Sequence, residues 1–101
     1  NIWDWAQSDD RYKNKTTLII TTDHGRGKEP IDYWRHHGSN VKGAEKVWIA
    51  VMGPDTPATG EANNSRTIYS TQIANTISSL LSIEYTNKEP VGNAIKGIIR
   101  D

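Results

Sequence analysis

The chain has 101 residues, enough for one small domain, with 35% hydrophobic residues and a mean hydropathy of −0.70. Twelve basic and twelve acidic residues cancel, which argues against nucleic-acid binding by bulk charge and against a polybasic membrane-surface protein. No apolar run is long enough for a membrane-spanning helix, and the lack of cysteine excludes disulfides, Cys-ligated zinc and thiol catalysis.

In chain order, Ile2-Trp3-Asp4-Trp5-Ala6-Gln7 reads as the tail of a helix ending in the polar cluster Ser8-Asp9-Asp10-Arg11. Because the chain opens at Asn1 inside that stretch, it is expected to be a piece of something larger. Thr16 to Thr22 is β-branched almost throughout, and Val47 to Met52 is a continuous apolar run stopped by Gly53-Pro54. Both predict interior strands of a sheet covered on two faces, the α/β pattern. Ile73, Ala74, Ile77, Leu80 and Leu81 fall on one helical stripe, with Ser70 or Thr71 placed to cap it. The tail beyond Tyr85 has weak pattern apart from Ile95, Ile98 and Ile99, and reads as a docking arm or a frayed end.

Two segments read as loops, Pro54 to Ser65 and the much longer Asp23 to Lys46, which carries all three histidines. Loops beyond roughly 12–15 residues are usually functional or disordered. Asp23-His24-Gly25 follows the first strand immediately, the position where open α/β sheets bind ligands. A carboxylate and an imidazole suit zinc or manganese, and Gly25 lets the chain turn tightly. His36-His37-Gly38-Ser39 repeats the His-Gly pattern on the same loop, and a loop that returns would aim both clusters at one pocket. Each cluster alone also fits an ordinary turn with a surface histidine; the two together carry the site hypothesis. Asp32 and His36 stand four apart, as two ligands on one helical turn starting near Pro30 would, and equally as an exposed surface pair does. Arg35 offers a guanidinium that can grip two oxyanion oxygens. Arg35 and Trp34 lie between the two clusters and are expected to line the substrate side of the loop. The sequons Asn14-Lys15-Thr16 and Asn63-Asn64-Ser65 lean toward an exported or periplasmic protein, although such triplets recur by chance.

Thr17 to Gly25 resembles the strand and Asp-His-Gly motif of the alkaline phosphatase superfamily, which includes phosphatases, phosphodiesterases, cofactor-independent phosphoglycerate mutases and sulfatases. His37-Gly38-Ser39 and the strand ending Gly53-Pro54 look like its later His-Gly and strand-Gly-Pro segments. Thr71 to Leu81 is similar to the helix that follows, with Gln72 and Ser82 in place of the usual Asp and Gly. The resemblance covers roughly Trp3 to Tyr85, with the motifs in order. It implies a fragment of a three-layer α/β/α domain, with 1–101 as its carboxy-terminal part. It also implies two divalent metal ions, zinc or manganese: Asp23 and His24 would bind the metal that holds the nucleophile, and His37 the second. His36 matches no family ligand and would stand behind the ligands. The family's nucleophile, its early metal-binding Asp and its Asp-x-x-x-His pair belong to an amino-terminal part not present here, so the Asp32/His36 match is coincidental.

The implied activity is hydrolysis of phosphate esters, silent in the isolated chain, with the missing amino-terminal part as partner. A mutase and a sulfatase are the alternatives within the superfamily; sulfatases usually place a Lys where this chain has His37. A non-enzymatic module contacting carbohydrate or protein through Tyr33, Trp34 and Trp48 is the alternative of another class. Loss of neighbouring strands is also expected to leave apolar edges at Thr17–Thr22 or Val47–Met52, open to self-association.

Overall fold

In the computed structural model, which describes residues 1–28, 31–38, 40–62 and 66–100, Asn1 caps the first helix, α1 (Ile2–Ser8). Its side-chain oxygen accepts the Asp4 N–H at 2.8 Å, one of the amides that a helix start leaves without a partner. The stretch expected as helical is helical over Ile2–Ser8. It stops where Asp9 turns to extended backbone, and the Asp9 carboxylate then accepts both the Arg11 N–H and its guanidinium. Trp3 and Gln7, one turn apart, share a face of α1.

Two small antiparallel sheets follow. β1 (Leu18–Thr21) pairs with β3 (Ile49–Met52) in a register running from Leu18↔Met52 to Thr21↔Ile49. β2 (Lys46–Val47) pairs with β4 (Ile68–Tyr69). The run Val47–Met52, expected as one strand, is broken at Trp48, whose carbonyl is drawn to the Thr21 hydroxyl at 2.7 Å and whose ring lies exposed. The described architecture is thus mixed helix and small antiparallel sheet, α/β in the general sense. Among the described residues neither sheet supplies the neighbours that interior strands would have. In a two-stranded sheet every strand has an open edge, and Ile20 and Met52 are exposed.

A turn of 3₁₀ helix (Ser70–Gln72) leads into α2 (Ile73–Leu80). Neither Ser70 nor Thr71 caps it. Gln72 holds the cap position without a side-chain bond to the helix, and its side-chain oxygen instead accepts the Tyr69 N–H at 2.9 Å, ahead of the 3₁₀ turn. The apolar stripe is only partly covered, for Ile77 and Leu81 are exposed while Thr76 and Ser78 are buried. The cause is the carboxy-terminal tail, which docks on the polar side of the helix. The Thr76 hydroxyl donates to the Gln72 carbonyl at 2.7 Å and accepts the Ile95 N–H at 3.0 Å. Gln72 and Asn75 hold the carbonyls of Asn93 and Gly92, and the Gly92 N–H returns to Thr71. Residues 91–100 therefore form a docking arm, with Ile95 and Ile98 buried.

Among the described residues the buried hydrophobic ones are few: Ala6, Val41, Ala44, Ile95 and Ile98. Consistent with so thin a core, the radius of gyration is 15.7 Å, against about 13 Å for a compact domain of this length. The accessible surface is 8006 Å², where a self-contained monomer of this mass would show about 5,700 Å². Among the described residues no helix is long and apolar enough to cross a membrane.

Candidate functional site

β1 ends at Thr21, and two residues later the chain enters the long loop at Asp23. What shapes this loop is a set of backbone bonds to its own returning limb. The Gly25 N–H donates to the Ala44 carbonyl at 2.6 Å, Gly27 to His36 at 3.2 Å, and Lys28 to Lys42 at 3.2 Å. Such closeness needs glycine. A Cβ on Gly25 would strike the carbonyls of Lys46 and Gly43, and one on Gly27 would strike the Tyr33 carbonyl and Val41. Val41 and Ala44, buried beneath, seal the crossing.

This crossing brings the two histidine clusters together. The rings of His24 and His37 stack with centroids 3.9 Å apart and planes within 11°. His24 Nδ1 lies 2.8 Å from the Gly25 carbonyl, which can only accept, so Nδ1 carries the proton. In the neutral ring Nε2 then holds a free lone pair, and it faces Asp23 Oδ1 at 3.5 Å. With Asp23 open to solvent, that gap accommodates a second ring proton, making an ion pair, a bridging water or a cation. Two ligand atoms about 2.0–2.1 Å from a tetrahedral zinc stand about 3.3–3.4 Å apart, so the separation suits a shared metal. The Asp23 side chain is 87% exposed, which leaves its remaining lone pairs open to solvent or to a further partner.

The other expected residues divide. Ile31–Arg35 forms a 3₁₀ turn, in which residues three apart eclipse. His36 accordingly sits edge-on to Tyr33, with ring centroids 5.4 Å apart, and no contact joins it to Asp32. Arg35, His36 and His37 line a hollow of about 450 Å³ together with Tyr33 and Asn40. Trp34 lies outside that lining, exposed, with the Arg35 guanidinium 5.7 Å from its ring centroid. Pro30, expected at the start of the turn, Ser39 of the His-Gly-Ser cluster and the sequon Asn63-Asn64-Ser65 lie outside the described residues.

Among the described residues no group of three or more His, Asp or Glu side chains is arranged to hold a metal ion. The geometry offers a pair, Asp23 with His24, and a neighbour, His37. Sequence reasoning missed Asn40 in the lining of the hollow, and it missed Gly27 as a shaper of the loop. The spacing Gly25-Arg26-Gly27 was the visible signal of the latter, since alternate glycines mark close backbone approach. Compared with models of known protein families, with curated proteins and with solved structures, the chain finds no match in any of the three.

Proposed function

We propose that the chain is the carboxy-terminal part of a metal-dependent hydrolase of phosphate esters, of phosphatase or phosphodiesterase type, on a three-layer α/β/α domain. The observation that carries this reading is the free Nε2 of His24 facing the Asp23 carboxylate at 3.5 Å, with the ring oriented by its bond to the Gly25 carbonyl. Metal-binding histidines almost always donate their other ring nitrogen in this way. His37, its ring stacked on that of His24 at 3.9 Å, supports the reading by bringing a second imidazole beside the pair.

The donor set fits zinc or manganese, with Asp23 and His24 holding one ion and His37 helping to hold a second. Bound there, such ions supply charge for an incoming nucleophile and for the leaving oxygen. The chain's own residues do the rest. The Gly25 carbonyl fixes the His24 tautomer, the backbone bonds of Gly25 and Gly27 hold the two rings in contact, and Arg35 offers a fork for phosphate oxygens beside His37. With three ligands for two ions and no positioned nucleophile, the isolated chain binds metal weakly and turns nothing over. Its excess surface and thin core support the reading that an amino-terminal part completes the domain.

A zinc titration of the chain, followed by NMR of the histidine ring nitrogens, tests the proposal. Nε2 of His24 should shift, and His24→Ala should weaken the first binding event at least about tenfold. His37→Ala should affect it less, and aryl phosphate turnover should equal the buffer blank. No zinc response at His24 would leave the pair as an ion pair and end the metal reading.

A further inference from the structure

At the far end of the β1–β3 ribbon from His24 lies a second hollow, of about 340 Å³, between α1 and the turn that follows β3. Its walls are Trp3 and Gln7 from α1, Asn14, the end of β3, and the turn after it without Asp55: Gly53, Pro54 and Thr56 to Ala58. None of its lining residues carries a charge. Two of them hold buried polar atoms with no hydrogen-bond partner among the described residues, the Gln7 amide nitrogen and the Thr56 hydroxyl. Buried polar groups are almost always paired; both atoms are closed to solvent where they stand, so a partner from the cavity reaches them only after each side chain turns toward it.

The walls are built to stay. Gly53 sits so close to Thr17 that a Cβ would lie 2.9 Å from the Thr17 Cα, and the Thr56 N–H closes a turn on the Gly53 carbonyl at 3.2 Å. Arg100 clamps the same turn from the tail, its backbone N–H on the Asp55 carbonyl at 2.7 Å and its guanidinium on that of Pro54 at 3.1 Å. The orphan groups are freer. Turning the Thr56 hydroxyl breaks no bond, and turning the Gln7 amide costs only its long 3.3 Å contact with the Asn14 N–H.

We propose that this cavity binds one neutral hydroxylated ring, of the size and chemistry of a single pyranose sugar. The lining offers no cation to a phosphate or carboxylate, which favours a neutral ligand. Trp3, Pro54 and Pro57 supply apolar surface for a ring face, while Gln7 donates to a ring hydroxyl and Thr56 exchanges a bond with another. The volume stands at the lower end of the range of about 300–1,000 Å³ typical of small-molecule sites, which suits one ring and no more. This inference is independent of the metal reading, because it uses none of the same residues.

The test is saturation-transfer NMR on the full chain with the methyl glycosides of glucose, mannose, galactose and N-acetylglucosamine, at millimolar concentrations. At least one glycoside should receive saturation and shift the Trp3 indole resonance. Thr56→Val and Gln7→Leu, which remove hydrogen bonds without emptying the space, should each weaken that binding about tenfold. His24→Ala should leave it unchanged. No transfer to any of the four glycosides overturns the proposal, and so does binding that both cavity variants leave intact. Unfolding midpoints of the two variants at or above that of the parent chain would show that the lost binding is not lost structure. A large fall in both midpoints would mean that the atoms are partnered after all, which removes the ground for the site.

Discussion

The β1–β3 ribbon separates two ends that differ in almost every property that selects a ligand. At the Thr21↔Ile49 end the chain leaves for a loop rich in histidine and arginine, and the hollow there is lined by Arg35, His36 and His37. At the Leu18↔Met52 end, roughly 10 Å of strand away, the hollow has no charged residue and two orphan polar atoms. The difference teaches that a chain of zero net charge can still sort charge locally. Overall neutrality says nothing about either cavity, because even the loop balances Arg26, Lys28, Arg35 and Lys42 with Asp23, Glu29, Asp32 and Glu45, and only the side chains that line a hollow set its charge.

The sharpest way to break the comparison is to open the charged end at its crossing. A methyl group at Gly25 would meet the carbonyls of Lys46 and Gly43, the latter at 2.5 Å, and backbone atoms cannot swing aside as a flexible side chain can. Gly25→Ala should therefore cost about 2–4 kcal/mol in urea unfolding, from overpacking and the strained Gly25–Ala44 hydrogen bond. It should also abolish the ring-current shifts that the His24–His37 stack produces. Gly60 serves as the control, for a Cβ there meets nothing within 4 Å and only its positive φ of 71° resists substitution. Gly60→Ala should cost about 1–2 kcal/mol. If Gly25→Ala costs no more than Gly60→Ala, the crossing does not hold the two rings together.

A smaller effect sharpens the charged end itself. In the zinc-loaded chain Arg35→Ala should weaken inorganic phosphate binding about tenfold, the worth of a hydrogen bond to a charged group, with zinc content unchanged. Trp34→Ala should weaken it less, because Trp34 lies outside the hollow and touches it only through the Arg35 guanidinium. Equal losses in the two variants would mean that the Arg35–Trp34 contact, rather than the guanidinium alone, forms the subsite.

How far the sequence could announce these ends follows from the range of the forces involved. Local signals were legible. The β-branched run gave β1, the 3.6-residue spacing gave α2, and the paired His-Gly clusters on one long loop pointed to rings that meet. Long-range choices were not. Nothing in Val47–Met52 shows that the Thr21 hydroxyl takes the Trp48 carbonyl and splits the strand, since that bond joins residues 27 apart. The polar burial of Thr76 and Ser78 depends on a tail whose own pattern is weak, and hydrophobic periodicity cannot see a helix face covered by backbone. The uncharged cavity was invisible for a related reason. Trp3, Gln7 and Thr56 are unremarkable one by one, and only the fold of α1 against the Gly53–Ala58 turn puts them around one space.

The smallest effect concerns a charge pair near the uncharged end, Asp9 with Arg11. Asp9 ends α1, the helix that carries Trp3 and Gln7, and its carboxyl is held below the ordinary carboxylate range, first by the side-chain hydrogen bonds of Arg11 and then by the Arg11 backbone N–H. A carboxyl depressed in the folded state adds stability above its ordinary range, and that contribution fades as the pH falls through the depressed value. The pair is open to water, with the Arg11 side chain 72% exposed, so screening keeps the contribution small. In an acid titration followed by carboxyl carbon NMR, the Asp9 midpoint should lie below that of an unstructured aspartate, and Arg11→Ala should raise it. Because the backbone N–H of residue 11 remains, the rise should be incomplete, whereas added salt should move the midpoint of the parent chain only part of the way. The signals of Trp3 should not follow the titration, since no charged group lines their cavity. A Trp3 indole that shifts with the Asp9 midpoint would show that charge reaches the second hollow through α1, and the contrast between the two ends of the ribbon would then be one of degree.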